Sequence, residues 1–130
     1  MQPSSAIASL VLILIHLGGC AAPPSSERVS RLNYGPPPQD YEVTIRKYFE
    51  SVLFDPYSAH YDFEPPQQMW LKDAPLNGGR LHAGHMVRVG VNAKNRFGGY
   101  VGKKMHGFII KDERIIKVMD EFELNNLRTR

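Results

Sequence analysis

An alternating run of valines that ends at a polar, glycine-containing loop determines much of what this chain can fold into. Val87, Val89 and Val91 recur at every second position, so in an extended strand their side chains lie on one face. Residues 94–99 then break the alternation with Asn, Arg and a Gly-Gly pair, the composition of a turn that needs positive φ. An extended pattern resumes at Tyr100. The stretch therefore predicts two antiparallel strands joined by a polar loop, with positive φ at Gly98 or Gly99.

Two motifs in this part of the chain resemble those of a family of small proteobacterial exported proteins and lipoproteins. The first is Asp-Pro-Tyr-Ser-Ala at residues 55–59, and the second is Asn-Ala-Lys-Asn-Arg-Phe-Gly-Gly-Tyr-Val-Gly at residues 92–102. The resemblance covers about residues 49–116. It implies an exported or lipid-anchored protein, and it implies no particular activity because the family's function is uncharacterised. Members with a cysteine before the second motif differ from this chain, so no thiol role is carried over.

The N-terminal residues predict a lipoprotein signal peptide. Residues 6–17 are an apolar run that suits the hydrophobic region of such a peptide and is too short to cross a bilayer comfortably. Residues 17–20 read Leu-Gly-Gly-Cys and resemble a bacterial lipobox, whose cysteine thiol takes a diacylglycerol. Cys20 is the only cysteine. We expect residues 1–19 to be the signal peptide and Cys20 to be lipidated, with palmitate as an acyl chain; the alternative is an ordinary secretory signal with a chance cysteine.

The residues after Cys20 predict where the protein resides. Ala21 stands where an aspartate would favour the inner membrane in the sorting pattern that this segment resembles. We therefore expect an outer-membrane lipid anchor, with the domain facing the periplasm. Residues 20–39 are rich in proline and serine and predict a tether between the anchor and the domain.

Residues 40–119 predict one small α+β domain. Asp40 is placed to cap a helix over residues 40–54, and Asp55-Pro56 predicts a type I turn after it. The expected buried face of that helix consists of Tyr41, Ile45, Tyr48, Phe49, Val52 and Leu53. Strands are expected at residues 59–64, 68–72, 86–94, 100–111 and 115–119, with a loop at residues 74–84.

The expected architecture is one N-terminal amphipathic helix packed on an antiparallel sheet of four or five strands, in two layers. Residues 120–130 are predicted to form a polar C-terminal tail with little to bury. Acidic side chains dominate residues 40–73, whereas basic side chains dominate residues 80–117. The two parts could neutralise each other within the fold, or they could leave a cationic face for an anionic partner.

The candidate binding residues lie in and beside the predicted loop: Asn92, Lys94, Asn95, Arg96 and Tyr100. Two amides and two cations could bind a phosphate, a carboxylate or the edge of a glycan. Alternatively, the amides could satisfy backbone groups of the turn while the cations stay in solvent. Phe97 or Tyr100 is expected to fold inward.

The sequence predicts no catalytic set, no metal and no cofactor. His82 and His85 are the nearest approach to a metal motif, whereas a transition-metal site needs three or four convergent ligands. No serine lies in a Gly-x-Ser-x-Gly elbow, and residues 97–102 lack the following helix that a phosphate-binding loop introduces. Nucleic acid is not expected as a partner, because an outer-membrane lipoprotein rarely meets it.

The sequence thus predicts a non-catalytic envelope lipoprotein whose domain binds another envelope component, either a protein or an anionic glycan or lipid. One alternative is an accessory subunit of an outer-membrane assembly or secretion complex. The small lipoproteins of the outer-membrane insertion machinery also place helix before sheet, but usually with two helices. A second alternative is a small periplasmic hydrolase, which a pocket with two convergent titratable groups would favour.

The lipid anchor is testable at Cys20. We expect Cys20→Ala to abolish fatty-acid labelling and to release the protein from the membrane fraction, because the thiol that accepts the lipid is gone. Metabolic labelling with palmitate and membrane fractionation would measure both effects. Undiminished palmitate incorporation into the variant would contradict the prediction.

Overall fold

The computed structural model describes residues 25–127, so the predicted signal peptide, Cys20 and residues 128–130 lie outside the described residues. Three helices are described: α1 Ser26–Ser30, α2 Tyr41–Glu50 and α3 Glu121–Leu127. Five strands accompany them: β1 Asp55–Phe63, β2 Gln67–Lys72, β3 Leu81–Lys94, β4 Lys104–Lys111 and β5 Arg114–Met119. A short 3-10 helix, Pro75–Asn77, lies between β2 and β3. None of the helices within residues 25–127 combines the length and apolar character needed to span a bilayer.

The five strands form one antiparallel sheet built around β3. The order is β1-β3-β4-β5, and β2 pairs with β3 on the side that β1 also occupies. The fourteen residues of β3 make this possible: Phe63 of β1 lies opposite Val89, and Gln67 of β2 lies opposite Met86. The α+β class and the antiparallel sheet predicted from the sequence are confirmed.

One face of the sheet packs against α2. Val87, Val89 and Val91 are all buried on this face, as their period of two predicted. From the helix, Ile45 and Phe49 enter the same cluster, so the predicted burial of Phe49 is confirmed. The Phe49 ring makes edge contact with Phe108 of β4, and the ring centroids are 5.7 Å apart.

The ends of α2 differ from the sequence-based expectation. The helix ends at Glu50 rather than at residue 54, because the Ser51 hydroxyl donates to the Tyr48 carbonyl at 2.7 Å and closes the last turn. Val52 therefore lies beyond the helix and is exposed. Asp40 occupies the N-cap position as predicted, but its side chain makes no capping hydrogen bond.

The start of α2 is instead held by the β4–β5 hairpin. The Glu113 carboxylate accepts hydrogen bonds from the backbone N–H groups of Gln39 and Asp40, at 2.9 and 3.4 Å. Asp112 and Glu113 both have positive φ, 50° and 58°, which is the backbone of a two-residue type I′ hairpin turn. The hairpin thus presents an acid to the N–H groups that precede the helix, where a negative charge is stabilising.

Part of the predicted tether belongs to the domain. Pro38 is buried, and Gly35 lies so close to the hairpin that a β-carbon there would be 2.9 Å from Asp112 Oδ1. Gly35 also has a φ of 73°, a conformation that glycine adopts without a steric penalty. The boundary between tether and domain therefore lies before Gly35 rather than at residue 39.

The opposite face of the sheet carries a second core cluster with α3. Leu124 is buried with Met86, Ile109 and Met119. The helix approaches β4 where Gly107 leaves room, since a β-carbon at Gly107 would lie 2.6 Å from Leu124 Cδ2. The expectation of one helix and a polar tail with little to bury is therefore wrong. Leu124 is buried because three side chains of the sheet form an apolar cluster with it, and the local sequence does not reveal that cluster.

Three strand boundaries also differ from expectation. β1 begins at Asp55, within the predicted turn, and its register against β3 shifts between Asp55 and His60. β3 begins at Leu81, within the predicted loop, because Leu81 pairs with Lys72 of β2. β4 begins at Lys104, and Tyr100 makes only an isolated bridge with Lys94.

The packing of α3 is testable with a pair of variants on one helix. We expect Leu124→Ala to lower the free energy of unfolding by about 2–4 kcal/mol, because it leaves a cavity in the cluster with Met86, Ile109 and Met119. Phe122→Ala is the control, since Phe122 is exposed and should cost less than about 0.5 kcal/mol. Equal effects in urea denaturation would mean that α3 does not pack as described.

Candidate functional site

The loop between β3 and β4 is a tight turn held by Asn95. The Gly98 N–H donates to the Asn95 carbonyl at 2.9 Å, and the Asn95 N–H donates to the Gly99 carbonyl at 2.9 Å. The Asn95 side-chain oxygen accepts from the N–H groups of Phe97 and Gly99, at 2.9 and 3.2 Å. Gly98 has a φ of 79°, so the prediction of positive φ in the glycine pair is confirmed.

Asn92 holds the other side of the same loop. Its side-chain oxygen accepts from the Gly102 N–H at 3.1 Å, and Gly102 has a φ of 92°. The amide oxygens of Asn92 and Asn95 are therefore both engaged with loop N–H groups, which is the structural alternative considered above. What the loop offers to a ligand is its cations, its rings and the side-chain N–H donors of the two asparagines.

Tyr100 joins the two sequence motifs. Its hydroxyl donates to the Ser58 carbonyl at 3.1 Å, and its ring stacks on His60 with a centroid distance of 5.2 Å. The Ser58 hydroxyl accepts from the Lys94 N–H at 2.9 Å, while Lys94 Nζ lies 5.6 Å from the Tyr100 ring centroid, within the range of a cation–π contact. Residues 55–59 and 92–102 thus form one structural unit at the end of the sheet.

The bonds within residues 55–59 explain why this motif takes that shape. The Asp55 carboxylate accepts from the Ser58 N–H at 3.2 Å, and the Ser58 hydroxyl donates to the Asp55 carbonyl at 2.8 Å. These two bonds bulge β1 outward between the pairs that Asp55 and His60 make with β3. Tyr57, at the bulge, is left 98% exposed.

We call this end of the molecule the tip surface. It consists of Phe54, Tyr57, Lys94, Arg96, Phe97, Tyr100 and Val101. Phe97 is 87% exposed and Phe54 is 73% exposed, whereas Tyr100 is half-buried on His60. The alternative that Phe97 folds inward is therefore wrong, and Tyr100 is the ring that does so in part. Sequence reasoning missed Phe54 and Tyr57, and the only available signal was that both aromatics flank Asp55-Pro56.

Among residues 25–127, some basic side chains of the segment 80–117 pair with acids, whereas others, those of the tip surface among them, do not. Lys103 pairs with Asp62 at 2.8 Å, and Lys117 pairs with Asp73 at 3.3 Å, so acidic and basic parts do neutralise each other in places. Within residues 25–127, by contrast, neither Lys94 nor Arg96 has an ion-pair partner. Arg96 is exposed, and Lys94 is partly exposed with its amine near the Tyr100 ring, so neither charge is neutralised by an acid of the described residues.

A second group of titratable side chains lies at the opposite end of β3. Asp73 contacts His82 at 2.9 Å and Lys117 at 3.3 Å, and Lys117 also approaches Glu123 at 3.8 Å. The hydrogen bond from His82 holds the pKa of Asp73 below its ordinary value, and Lys117 acts in the same direction while burial opposes both. Asp73, Lys117 and Glu123 line a cleft of about 180 Å³.

This cleft has the convergent titratable groups that would favour a hydrolase, yet their contacts are with one another. They join the loop after β2, the start of β3, the strand β5 and the helix α3, which is a structural role. His82 and His85 lie three residues apart on β3, so their side chains leave opposite faces of the strand. Within the described part of the chain, no three His, Cys, Asp or Glu side chains are placed to hold a metal.

A third feature is an open depression of about 540 Å³ beside the first residues of β4 and α3, lined in part by Lys104, His106 and Phe122. Burial lowers the pKa of His106, whose ring contacts Phe49 at a centroid distance of 5.1 Å. No second titratable group hydrogen-bonds to His106 among residues 25–127, so this depression has weaker grounds for a site than the tip surface.

Comparison with known proteins finds no matching family model, no matching curated protein and no matching solved structure. The resemblance of residues 55–59 and 92–102 to a lipoprotein family therefore stays an expectation from the sequence.

The Asp73 cluster predicts a pH-dependent stability. Since the pKa of Asp73 is lowered in the fold, its contribution is present above the ordinary carboxyl pKa of 3.8 and is lost as the pH falls through the lower folded-state value. Asp73→Asn should therefore cost about 1–2 kcal/mol at a pH of about 7, and progressively less as the pH is lowered below the ordinary carboxyl pKa of 3.8.

Urea denaturation of the two proteins at several pH values would measure this difference. Asp62→Asn is the control, because the Asp62 carboxylate is largely exposed and its pair with Lys103 should contribute less than about 1 kcal/mol. A cost for Asp73→Asn that does not change with pH would show that the charge of Asp73 is not what stabilises the cluster.

Proposed function

We propose that this chain is a non-catalytic lipoprotein of the bacterial envelope, whose α+β domain binds another envelope component through the tip surface. The observation that carries this proposal is the combination at one end of the sheet of two cations without ion-pair partners in residues 25–127 and three largely exposed aromatic rings. Exposed aromatic side chains next to free charge are typical of interaction surfaces.

The exposed phenylalanine rings are informative because leaving them in water forgoes the free energy that their burial would contribute. Removing a phenylalanine side chain from water contributes about 1.5–3 kcal/mol, and Phe54 and Phe97 forgo most of that in the isolated chain. Meanwhile Asn92 and Asn95 hold the backbone that carries Arg96 and Phe97 in one conformation. A loop of fixed shape that displays apolar and charged groups loses little entropy when it binds a partner.

The position of the anchor also supports the proposal. The segment from Gly35 to Asp40 contacts the β4–β5 hairpin, whereas the tip surface follows β3 and precedes β4. These are the two ends of β4, which at about 3.4 Å per residue lie roughly 25 Å apart. A lipid on Cys20 would therefore hold the domain at the end opposite the tip surface. In our proposal the lipid lies in the outer membrane and the domain faces the periplasm.

We further propose that α2 is the main helical layer of the domain. It packs on one face of the sheet. The α2 face holds the larger cluster of buried residues, with the rings of Tyr48, Phe49 and Phe108 in mutual edge contact. The α3 face contributes a smaller cluster. Neither cluster includes the tip surface, so its residues are available for binding without loss of the core.

Charge reversal at the tip surface tests the proposed function. We expect Lys94→Glu with Arg96→Glu to reduce retention of the protein on purified membrane or cell-wall fractions by about tenfold or more, since charge-assisted contacts each contribute on the order of 1 kcal/mol. Thermal stability should stay nearly unchanged, because neither side chain takes part in the core.

The matched control is Lys47→Glu with Arg80→Glu, which changes the net charge equally at positions outside the tip surface. Retention should survive in the control. If the tip variant instead unfolds tens of degrees lower and loses retention only in proportion to unfolded protein, the loop is a determinant of the fold and the proposed function fails.

A further inference from the structure

We propose that the partner of the tip surface is the headgroup layer of an anionic phospholipid bilayer, with Phe97 as the inserting side chain and Lys94 and Arg96 as the headgroup contacts. This inference rests on the proposed function and names the class of its partner. It follows from the shape of the loop, from the groups it has left to offer, and from the reach of the chain that precedes the domain.

Phe97 occupies the apex of the loop. Hydrogen bonds from the N–H groups of Phe97 and Gly99 to Asn95 fix the turn from below, and Phe97 extends from it with 87% of its surface exposed. A β-carbon on Gly98 would meet no atom within 4 Å, so the space around the apex is open. The apex is therefore convex, with an apolar ring at its outermost point.

The side chains around the apex are arranged like those of a segment that lies at a membrane–water interface. Arg96 lies beside Phe97 in the chain, and Val101, Tyr57 and Phe54 are exposed nearby. Apolar rings that enter the boundary of the acyl region, with cations at headgroup level, form the usual pattern of peripheral membrane contacts. Tyrosine is enriched at that same depth because its ring is apolar and its hydroxyl is polar.

A glycan or a peptide is a poorer fit to this surface. Small polar ligands are usually bound in clefts by polar groups aimed at fixed positions, and peptides in grooves or along open sheet edges. Here the amide oxygens of Asn92 and Asn95 already accept hydrogen bonds from the loop backbone, and the Tyr100 hydroxyl donates to the Ser58 carbonyl. The loop is left with cations, amide N–H donors and apolar surface on a convex apex, and this combination suits a fluid, anionic surface.

The chain before the domain is long enough for the tip surface to reach the anchoring membrane. Between Cys20 and Gly35 the chain can span at most roughly 40–44 Å, if the five residues of α1 contribute about 1.5 Å each and the others are extended. The two ends of β4 are about 25 Å apart. The tip surface can therefore reach the membrane that holds the lipid while the opposite end of the domain stays outside the bilayer.

A tryptophan introduced at the apex tests this inference. The acylated full chain carrying Phe97→Trp is reconstituted into vesicles of phosphatidylcholine with or without phosphatidylglycerol, and quenching by brominated acyl chains is measured after subtraction of the Trp70 signal. Leu76→Trp is the matched control, since Leu76 is exposed in the segment between β2 and β3, at the opposite end of β3. We call the two introduced side chains the apex indole and the control indole.

We expect quenching of the apex indole in anionic vesicles only, at least about threefold above that of the control indole, because only the apex enters the bilayer. Adding Lys94→Glu and Arg96→Glu should weaken membrane association of the domain about fivefold for each charge lost, and raised salt should weaken it as well. Circular dichroism would confirm that each variant is folded.

Quenching of the apex indole no greater than that of the control indole would overturn the inference, and so would equal quenching in neutral and anionic vesicles. If the apex indole stays unquenched while the Lys94 and Arg96 reversals still abolish retention on cell-wall material or on an envelope protein, the proposed function stands and its partner is a glycan or a protein. If the reversals affect neither readout, the proposed function fails as well.

Discussion

The hydrogen-bond ladder of β3 is the interaction on which the rest of the structure depends. This strand pairs with β4 along one edge and with both β1 and β2 along the other, so every other strand except β5 is positioned by it directly. Its alternating side chains supply Val87, Val89 and Val91 to one core cluster and Met86 to the other. Because β3 is buried on both faces and paired on both edges, its sequence is rich in apolar residues.

The tip surface is a consequence of how that strand ends. After Lys94 the chain must reverse within a few residues to reach β4, and Asn92 and Asn95 supply acceptors for N–H groups that the sheet no longer satisfies. The bulge at Ser58 brings β1 to the same place and accepts the Lys94 N–H. Structural polar groups face inward as a result, whereas Arg96 and Phe97 face solvent.

At the opposite end of the sheet, side-chain contacts join different helices and strands to one another. Glu113 holds the start of α2, and Asp73 connects His82 with Lys117. Both are carboxylates that accept hydrogen bonds from more than one group, and in Asp73 these bonds lower the pKa. The two ends of the molecule thus differ: acids join elements of the fold at one end, and exposed aromatic rings lie beside two cations at the other.

The sequence by itself determined the strand pattern around Val87, the positive φ at Gly98 and the buried position of Phe49, because each depends on local periodicity or on glycine geometry. Only the tertiary structure decided that α3 packs at Gly107, that Gly35 belongs to the domain, and that Tyr57 joins Phe97 at the tip surface. Those outcomes depend on contacts between residues far apart in the chain. Local pattern carries no information about such contacts until the register of the strands brings the residues together.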